Sequence, residues 1–215
     1  MKTLIAIPCF DHVPAKFCAS LAMLKHVGSC RIAMQPGSLI YTARQTLAAF
    51  ATSLGTDYIA WFDSDMVFPP DTLERLFDTM DRTGADMVTG LYFRRVPPYS
   101  PVLFDKLDID PETGSCAWSG PEEIPAEPFE VAACGFGCVL MKTDVCRAVQ
   151  VEFDSMFAPI ANNGEDIAFC WRARQCGYKI ICDPAIELGH VGQIAVNRAF
   201  YENIRRGSNG NRKPD

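Results

Sequence analysis

Apolar residues recur along the chain in two alternating rhythms, short unbroken runs of strand length and stretches with helical spacing. Lys2 to Ile7 reads as a first strand, Pro8-Cys9-Phe10-Asp11-His12 as the loop at its carboxyl end, and about Pro14 to His26 as a helix. A second strand around Arg31 to Met34 leads into the Pro36-Gly37 turn. There Ser38 is placed to cap a helix that carries Arg44 near its start and runs to about Ser53. Tyr58-Ile59-Ala60-Trp61-Phe62 is an apolar run that stops at two carboxylates, Asp63 and Asp65. Pro69, Pro70 and Asp71 start the next helix, which presents Leu73, Leu76, Phe77 and Met80 on one face and ends near Arg82. Asp86 to Phe93 is a further strand, with Arg94-Arg95 directly after it. This alternation predicts an α/β fold, a three-layer α/β/α sandwich around a mostly parallel sheet.

From Pro97 to Pro128 the texture changes to prolines, acids and the turn Asp110-Pro111-Glu112-Thr113-Gly114, as expected of an inserted hairpin or mobile loop, a place where substrate-selecting parts often sit. Phe129 to Cys134 and Val139 to Met141 read as strands. Between them, Gly135-Phe136-Gly137 marks a place where backbone passes close to something. Asn162 to Asp166 opens a helix to about Gln175 that Gly177 ends, Tyr178 to Cys182 is a strand, and Asp183-Pro184 is expected to turn the chain. Ile186 to Leu188 then extends it to Gly189-His190-Val191-Gly192. Residues 1–192 are thus expected to form one compact domain, and 193–215 a C-terminal helix and basic tail.

At 215 residues, 48% hydrophobic and 21% charged, the chain can bury a substantial core. Its net charge of −6 gives no general attraction to nucleic acid or anionic membrane. The tail departs from this, with Arg198, Arg205, Arg206, Arg212 and Lys213 against Glu202 and Asp215. The ten cysteines are scattered through apolar stretches without a Cys-x-x-Cys pair or a zinc spacing, so they read as reduced core thiols and favour a cytoplasmic location. No apolar run approaches the roughly 20 residues of a membrane span.

Three constellations could carry chemistry: Asp63 with Asp65, Glu165 with Asp166, and His190. Open α/β sheets place ligands at the carboxyl ends of their strands, and two carboxylates there suit a magnesium or manganese ion carrying phosphates. Acids at a helix start are also satisfied by the helix dipole, and a lone histidine is more often simply hydrogen-bonded. Taken together, an Asp-x-Asp pair, an imidazole and a separate carboxylate are what a transferase needs when its leaving group is a nucleoside diphosphate.

The ordered set of motifs resembles the glycosyltransferases of the GT-A fold, close in pattern to the family 2 enzymes. The resemblance rests on Ile5-Ala-Ile-Pro-Cys-Phe-Asp11, Gly37 through Ala43-Arg44-Gln45, and Tyr58 through Asp65. It continues in Gly164-Glu165-Asp166 with Arg172, Gly177-Tyr178-Lys179-Ile180, and His190. It implies that Pro8, Phe10, Asp11, Arg44, Asp63 and Ser64 bind a nucleotide-sugar donor, for preference a UDP-sugar. It implies a Mn2+ or Mg2+ ion held by Asp63, Asp65 and His190. Asp166 is then the base of an inverting transfer, with Glu165 beside it for the acceptor. Asn163-Gly-Glu-Asp through Phe169, Arg172 and Gly189-His190 also resemble the polypeptide N-acetylgalactosaminyltransferases, which retain configuration and need no base there. The expected acceptor is a hydroxyl, with glycan, lipid, protein, metabolite and modified nucleobase all left open.

Two further readings stay open at the level of sequence. Asp63-Ser-Asp-Met-Val after an apolar strand fits the nucleophile motif of haloacid-dehalogenase-type phosphatases, although two β-α units precede it here. A non-catalytic nucleotide-sugar-binding domain would keep the fold without turnover.

Overall fold

The computed structural model describes residues 1–192 apart from positions 38, 111 and 161. The helix and basic tail expected over 193–215, and the capping role expected of Ser38, lie outside the described residues.

The chain opens with β1 (Lys2–Cys9), α1 (Ala15–Met23), β2 (Ser29–Pro36), α2 (Ile40–Ser53) and β3 (Tyr58–Phe62). After the short β4 (Met66–Val67) come α3 (Thr72–Thr83) and β5 (Met87–Leu91). The acidic, proline-rich stretch contains β6 (Leu103–Phe104) and a hairpin of β7 (Lys106–Ile109) with β8 (Cys116–Ser119). Then follow β9 (Phe129–Glu130), β10 (Ala133–Cys134), β11 (Cys138–Lys142), α4 (Thr143–Glu152), α5 (Glu165–Gln175), β12 (Ile180–Glu187) and β13 (Gly189–His190).

Seven strands form the central sheet in the order β2-β1-β3-β11-β5-β12-β9. β11 runs antiparallel between β3 and β5, and β9 antiparallel at the edge; the remaining pairings are parallel. Side chains of a strand alternate between faces, and that alternation builds two cores. Leu4, Ala6, Ile59, Trp61, Val139 and Met141 pack under α2, α4 and α5, whereas Ile5, Ile7, Ala60, Phe62, Cys138 and Leu140 pack under α1 and α3. These are the three layers and mostly parallel sheet that the alternating pattern predicts.

Three elements differ from the sequence reading. Phe129 to Cys134, read as one strand, is two: β9 pairs with β12 at the edge of the central sheet, and β10 pairs with β6 outside it. α4 leaves β11 with no intervening loop, so no turn residue announces it, and the sequence leaves 143–152 unassigned. Asp183-Pro184 does not turn the chain: β12 continues through it with a register shift against β5 between Asp183 and Glu187. Asp183 is 4% exposed, and its carboxylate accepts from the Thr79 hydroxyl and, at 2.9 Å, from the Ala185 amide. Those bonds satisfy the acid inside the sheet, where a turn was expected.

At this irregularity Gly90 of β5 lies against β12 so closely that a Cβ there would sit 2.7 Å from the Ile186 carbonyl oxygen and 2.8 Å from Leu188 Cδ1. Gly90→Ala is therefore expected to cost about 1–3 kcal/mol, read as a lower urea midpoint at unchanged slope. An unchanged midpoint would show that β12 shifts away freely.

Candidate active site

The functional side chains collect at the carboxyl ends of β1 and β3. β3 ends at Phe62, and a tight turn closed by the Met66 amide donating to the Asp63 carbonyl (3.0 Å) exposes Asp63, Ser64 and Asp65. β4 then pairs with β13, His190 opposite Met66, and the Val191 amide donates to the Asp65 carbonyl at 2.8 Å. This small ladder brings His190 from the end of the described chain to the tip of the acidic turn.

Arg44 is the buried centre of the site. α2 buries Ala43, Arg44, Leu47, Ala48 and Ala51, a helical stripe, so the arginine occupies a core position at 2% exposure. Its Nη2 donates to both carboxylate oxygens of Asp63, at 2.9 and 3.0 Å, and its Nε donates to Glu165 Oε1 at 3.0 Å. The guanidinium carbon lies 5.7 Å from the Trp61 ring and 5.2 Å from the Phe136 ring. Burial works against its charge, but Asp63 and Glu165 outweigh that, and Arg44 stays protonated. Arg44, expected to bind the nucleotide, stands beneath the acidic turn and ties it to the start of α5. Glu165, expected beside the acceptor, is likewise engaged with Arg44, and its side chain is 12% exposed.

The three expected metal ligands are divided. Among the described residues no three His, Cys, Asp or Glu side chains converge as a ready-made metal site. Asp63 is turned to Arg44, whereas Asp65 faces His190, with Nε2 3.2 Å from Oδ2. The Arg95 Nη1 also donates to that same Oδ2. His190 Nδ1–H donates to the Phe93 carbonyl at 2.9 Å, which fixes the ring and leaves Nε2 as the nitrogen facing Asp65.

The two acids of the turn titrate in opposite directions. Burial pushes the Asp63 carboxyl up to about 6; Arg44 opposes the rise and Asp65 adds to it. Burial would also raise Asp65, but the hydrogen bond and charge of His190, with the charge of Arg95, hold it below its ordinary value. The hydrogen bond to Asp65 in turn raises the His190 imidazole. Asp65 Oδ2 is thus a place where positive charge gathers.

Asp166 follows Glu165 in the first turn of α5 and accepts from the Ile167 amide at 2.8 Å through Oδ1. Burial, then the neighbouring Glu165 charge, push its carboxyl up to about 6. A carboxyl so placed holds and releases protons near neutrality.

Beside the acidic turn opens a cavity of about 660 Å³, lined by Pro8, Phe10, Ile40, Asp63, Ser64, Asp65 and Arg95 among others. Of the residues expected to bind a donor, Pro8, Phe10, Asp63 and Ser64 line this space. Asp11 is exposed on the same loop but outside the lining, and Arg44 lies behind it.

Three supporting contacts were not foreseen. Gln45 Oε1 accepts from the Met156 amide at 3.1 Å and Arg172 Nη1 donates to the Met156 carbonyl at 3.0 Å, fixing the loop that leads to α5. The Tyr92 hydroxyl accepts from the Gly137 amide at 3.0 Å, and any Cβ at Gly135 or Gly137 would strike that tyrosine. The sequence signals the close approach there but not its partner. Arg95 was visible only as half of an arginine pair after a strand.

The family model described as glycosyl transferase family 2 matches residues 21–147, which include Arg44, Asp63, Asp65 and Arg95. A search of curated proteins finds no match. Among solved structures, the chain is similar to the protein A197 from STIV, at 19% identity and a TM-score of 0.60, over 92% of this chain and 100% of that one. It is also similar to GalNAc-T7 bound to UDP, GalNAc and Mn2+, at 10% identity and a TM-score of 0.59, over 90% of this chain and 43% of that one. At these identities the two neighbours show the fold.

Proposed function

The chain belongs to glycosyl transferase family 2, and on that premise we propose that it transfers a sugar from a UDP-sugar to a hydroxyl acceptor with the help of a divalent ion. The observation that carries this reading is the joining of Asp63 and Glu165 through one buried guanidinium, which ties the acidic turn beside the cavity to the start of the helix bearing Asp166.

The residues fit a hard divalent ion. Asp65 Oδ2 and His190 Nε2 face each other, Oδ2 already draws cationic groups, and the Nδ1 bond to Phe93 leaves Nε2 as the ligating nitrogen once it loses its proton. Asp65 and His190 would hold the ion, with Mn2+ or Mg2+ the candidates. When bound it supplies charge neutralisation for the departing diphosphate. UDP and manganese are carried over as proposals from the ligands of GalNAc-T7.

The chain's own residues supply the rest. Pro8, Phe10 and Ile40 offer an apolar wall for the base, and Ser64 and the open lone pairs of Asp63 can take ribose hydroxyls. The Asp166 carboxylate accepts the proton of the acceptor hydroxyl as that oxygen bonds to the sugar's anomeric carbon. The bond from that carbon to the diphosphate breaks, and UDP leaves with the electron pair. This attack inverts configuration. Residues 1–192 act as one catalytic domain, with the β7–β8 hairpin region as the acceptor-selecting part. The ten cysteines, all free, favour the cytoplasm, and no helix among the described residues is long and apolar enough to cross a membrane.

The test is a thermal-shift series with UDP, GDP and CDP, each with and without Mn2+. Ligand binding to the native state raises the midpoint by mass action, about 2.7 kcal/mol at a hundredfold excess over Kd. A shift is expected with UDP that requires Mn2+ and is lost in Asp65→Ala. A UDP shift that survives in Asp65→Ala, or does not need the ion, would overturn the metal assignment.

A further inference from the structure

Arg95 is a cation with two places to go. It follows β5 and lines the cavity, its side chain is 52% exposed, and its Nη1 donates to Asp65 Oδ2. That oxygen is also the one facing His190 Nε2, and so the one that a divalent ion on Asp65 and His190 would take. A guanidinium and a divalent cation on one carboxylate oxygen repel strongly even with solvent near.

The loop that carries Arg95 is built so that the stem is held while the head is free. Phe93 bridges Pro101, the Arg94 amide donates to the Ser100 carbonyl at 2.9 Å, and the Tyr99 amide donates to the Val96 carbonyl at 2.9 Å. Gly192 packs on the stem: a Cβ there would lie 3.2 Å from Arg95 Cβ. Beyond the stem, the guanidinium is bounded by Asp65 on one side and the open cavity on the other. Arg94, its neighbour, does not line that cavity.

We propose that Arg95 is an exchangeable counter-cation of this site: it occupies Asp65 when donor is absent, yields that oxygen to the divalent ion, and then binds the diphosphate of the nucleotide. The inference rests on metal-assisted donor binding. The planar fork of the guanidinium suits two phosphate oxygens as well as it suits a carboxylate. Such an exchange makes ion and nucleotide bind cooperatively. The ion alone must displace Arg95 without recompense, whereas the ion with the diphosphate offers the displaced arginine a new anion.

The experiment measures two affinities by calorimetry on the full chain, for the parent, Arg95→Ala and Arg95→Lys. The first is for Mn2+ alone, the second for UDP at saturating Mn2+. A half-exposed ion pair is worth at most about 1 kcal/mol, so Arg95→Ala is expected to bind Mn2+ about twofold to fivefold more tightly than the parent. Loss of a charge-assisted contact to phosphate is expected to weaken its UDP binding about tenfold. Arg95→Lys should lie between the two in both. Opposite movement of the two affinities is something a merely structural arginine would not produce. Unchanged or weaker Mn2+ binding in Arg95→Ala, or UDP binding equal to the parent's, overturns the exchange while leaving metal-dependent donor binding intact. Failure of the parent itself to bind Mn2+ with or without UDP overturns the donor-binding reading, and the exchange with it.

Discussion

Arg44→Met is expected to lower the stability of the chain by about 3–5 kcal/mol, since removing one partner of a buried ion pair leaves the other charges uncompensated. The side chain is 2% exposed and serves two acids at once, Asp63 through Nη2 and Glu165 through Nε. Methionine fills the volume between Trp61 and Phe136, so the loss measures the missing charge and hydrogen bonds more than a cavity. For a chain of this size the shift in midpoint is on the order of 10 °C. Lysine in the same place keeps the charge but has one head for two carboxylates, and is expected to recover only part of the loss. The deficit has a pH signature. Asp63 is already pushed up to about 6 in the presence of Arg44. Without the guanidinium it rises further, so the ionised form costs stability above that pKa and is relieved as pH falls through it. The gap between parent and variant should therefore narrow toward pH 5. A methionine variant that melts with the parent at pH 7.5 would show that Asp63 and Glu165 find other partners at no cost.

Asp166→Asn is expected to reduce transfer by about 10²–10⁴-fold while leaving UDP binding in the presence of Mn2+ within about twofold of the parent. The asparagine keeps the shape and the acceptor oxygen toward the Ile167 amide but cannot take the proton of an attacking hydroxyl. With the Asp166 carboxyl pushed up to about 6 by burial and Glu165, kcat/KM of the parent should be level above about pH 7 and fall tenfold per unit below about 6. The stability effect has the opposite sense. A carboxyl whose pKa is higher folded than unfolded binds its proton more tightly in the native state. Its contribution is therefore greatest below the unfolded value near 4 and is lost as pH rises through about 6. Asp166→Asn should then melt no lower than the parent at pH 7.5. Transfer at the parent rate would remove Asp166 from the role of base and favour a retaining reaction.

The alternatives that the sequence left open divide on the same residues. A phosphatase would use Asp63 as its nucleophile, whereas two bonds from the Arg44 guanidinium draw charge from that carboxylate and weaken it for attack on phosphorus. The family match, in turn, assigns the stretch from 21 to 147 to glycosyl transferases.

What the sequence determined by itself is what short-range periodicity can carry. Strands β1 and β3 and helix α3 are legible because each buries a face whose spacing is set by two or 3.6 residues, with Pro69-Pro70 marking the start of α3. The family resemblance was legible too, because ordered motifs survive as spacing along the chain. Only the tertiary structure decided that β11 enters the sheet antiparallel between β3 and β5, and that β12 passes through Asp183-Pro184 without turning. It also decided that Asp63 looks inward to Arg44 while Asp65, two residues on, looks outward to His190 and Arg95. The reason is one of range. A hydrophobic pattern reports which face of an element is covered, but a buried charge is satisfied by whatever cation the topology delivers. Here those partners are 121 residues apart for Arg44 and Glu165 and 125 for Asp65 and His190.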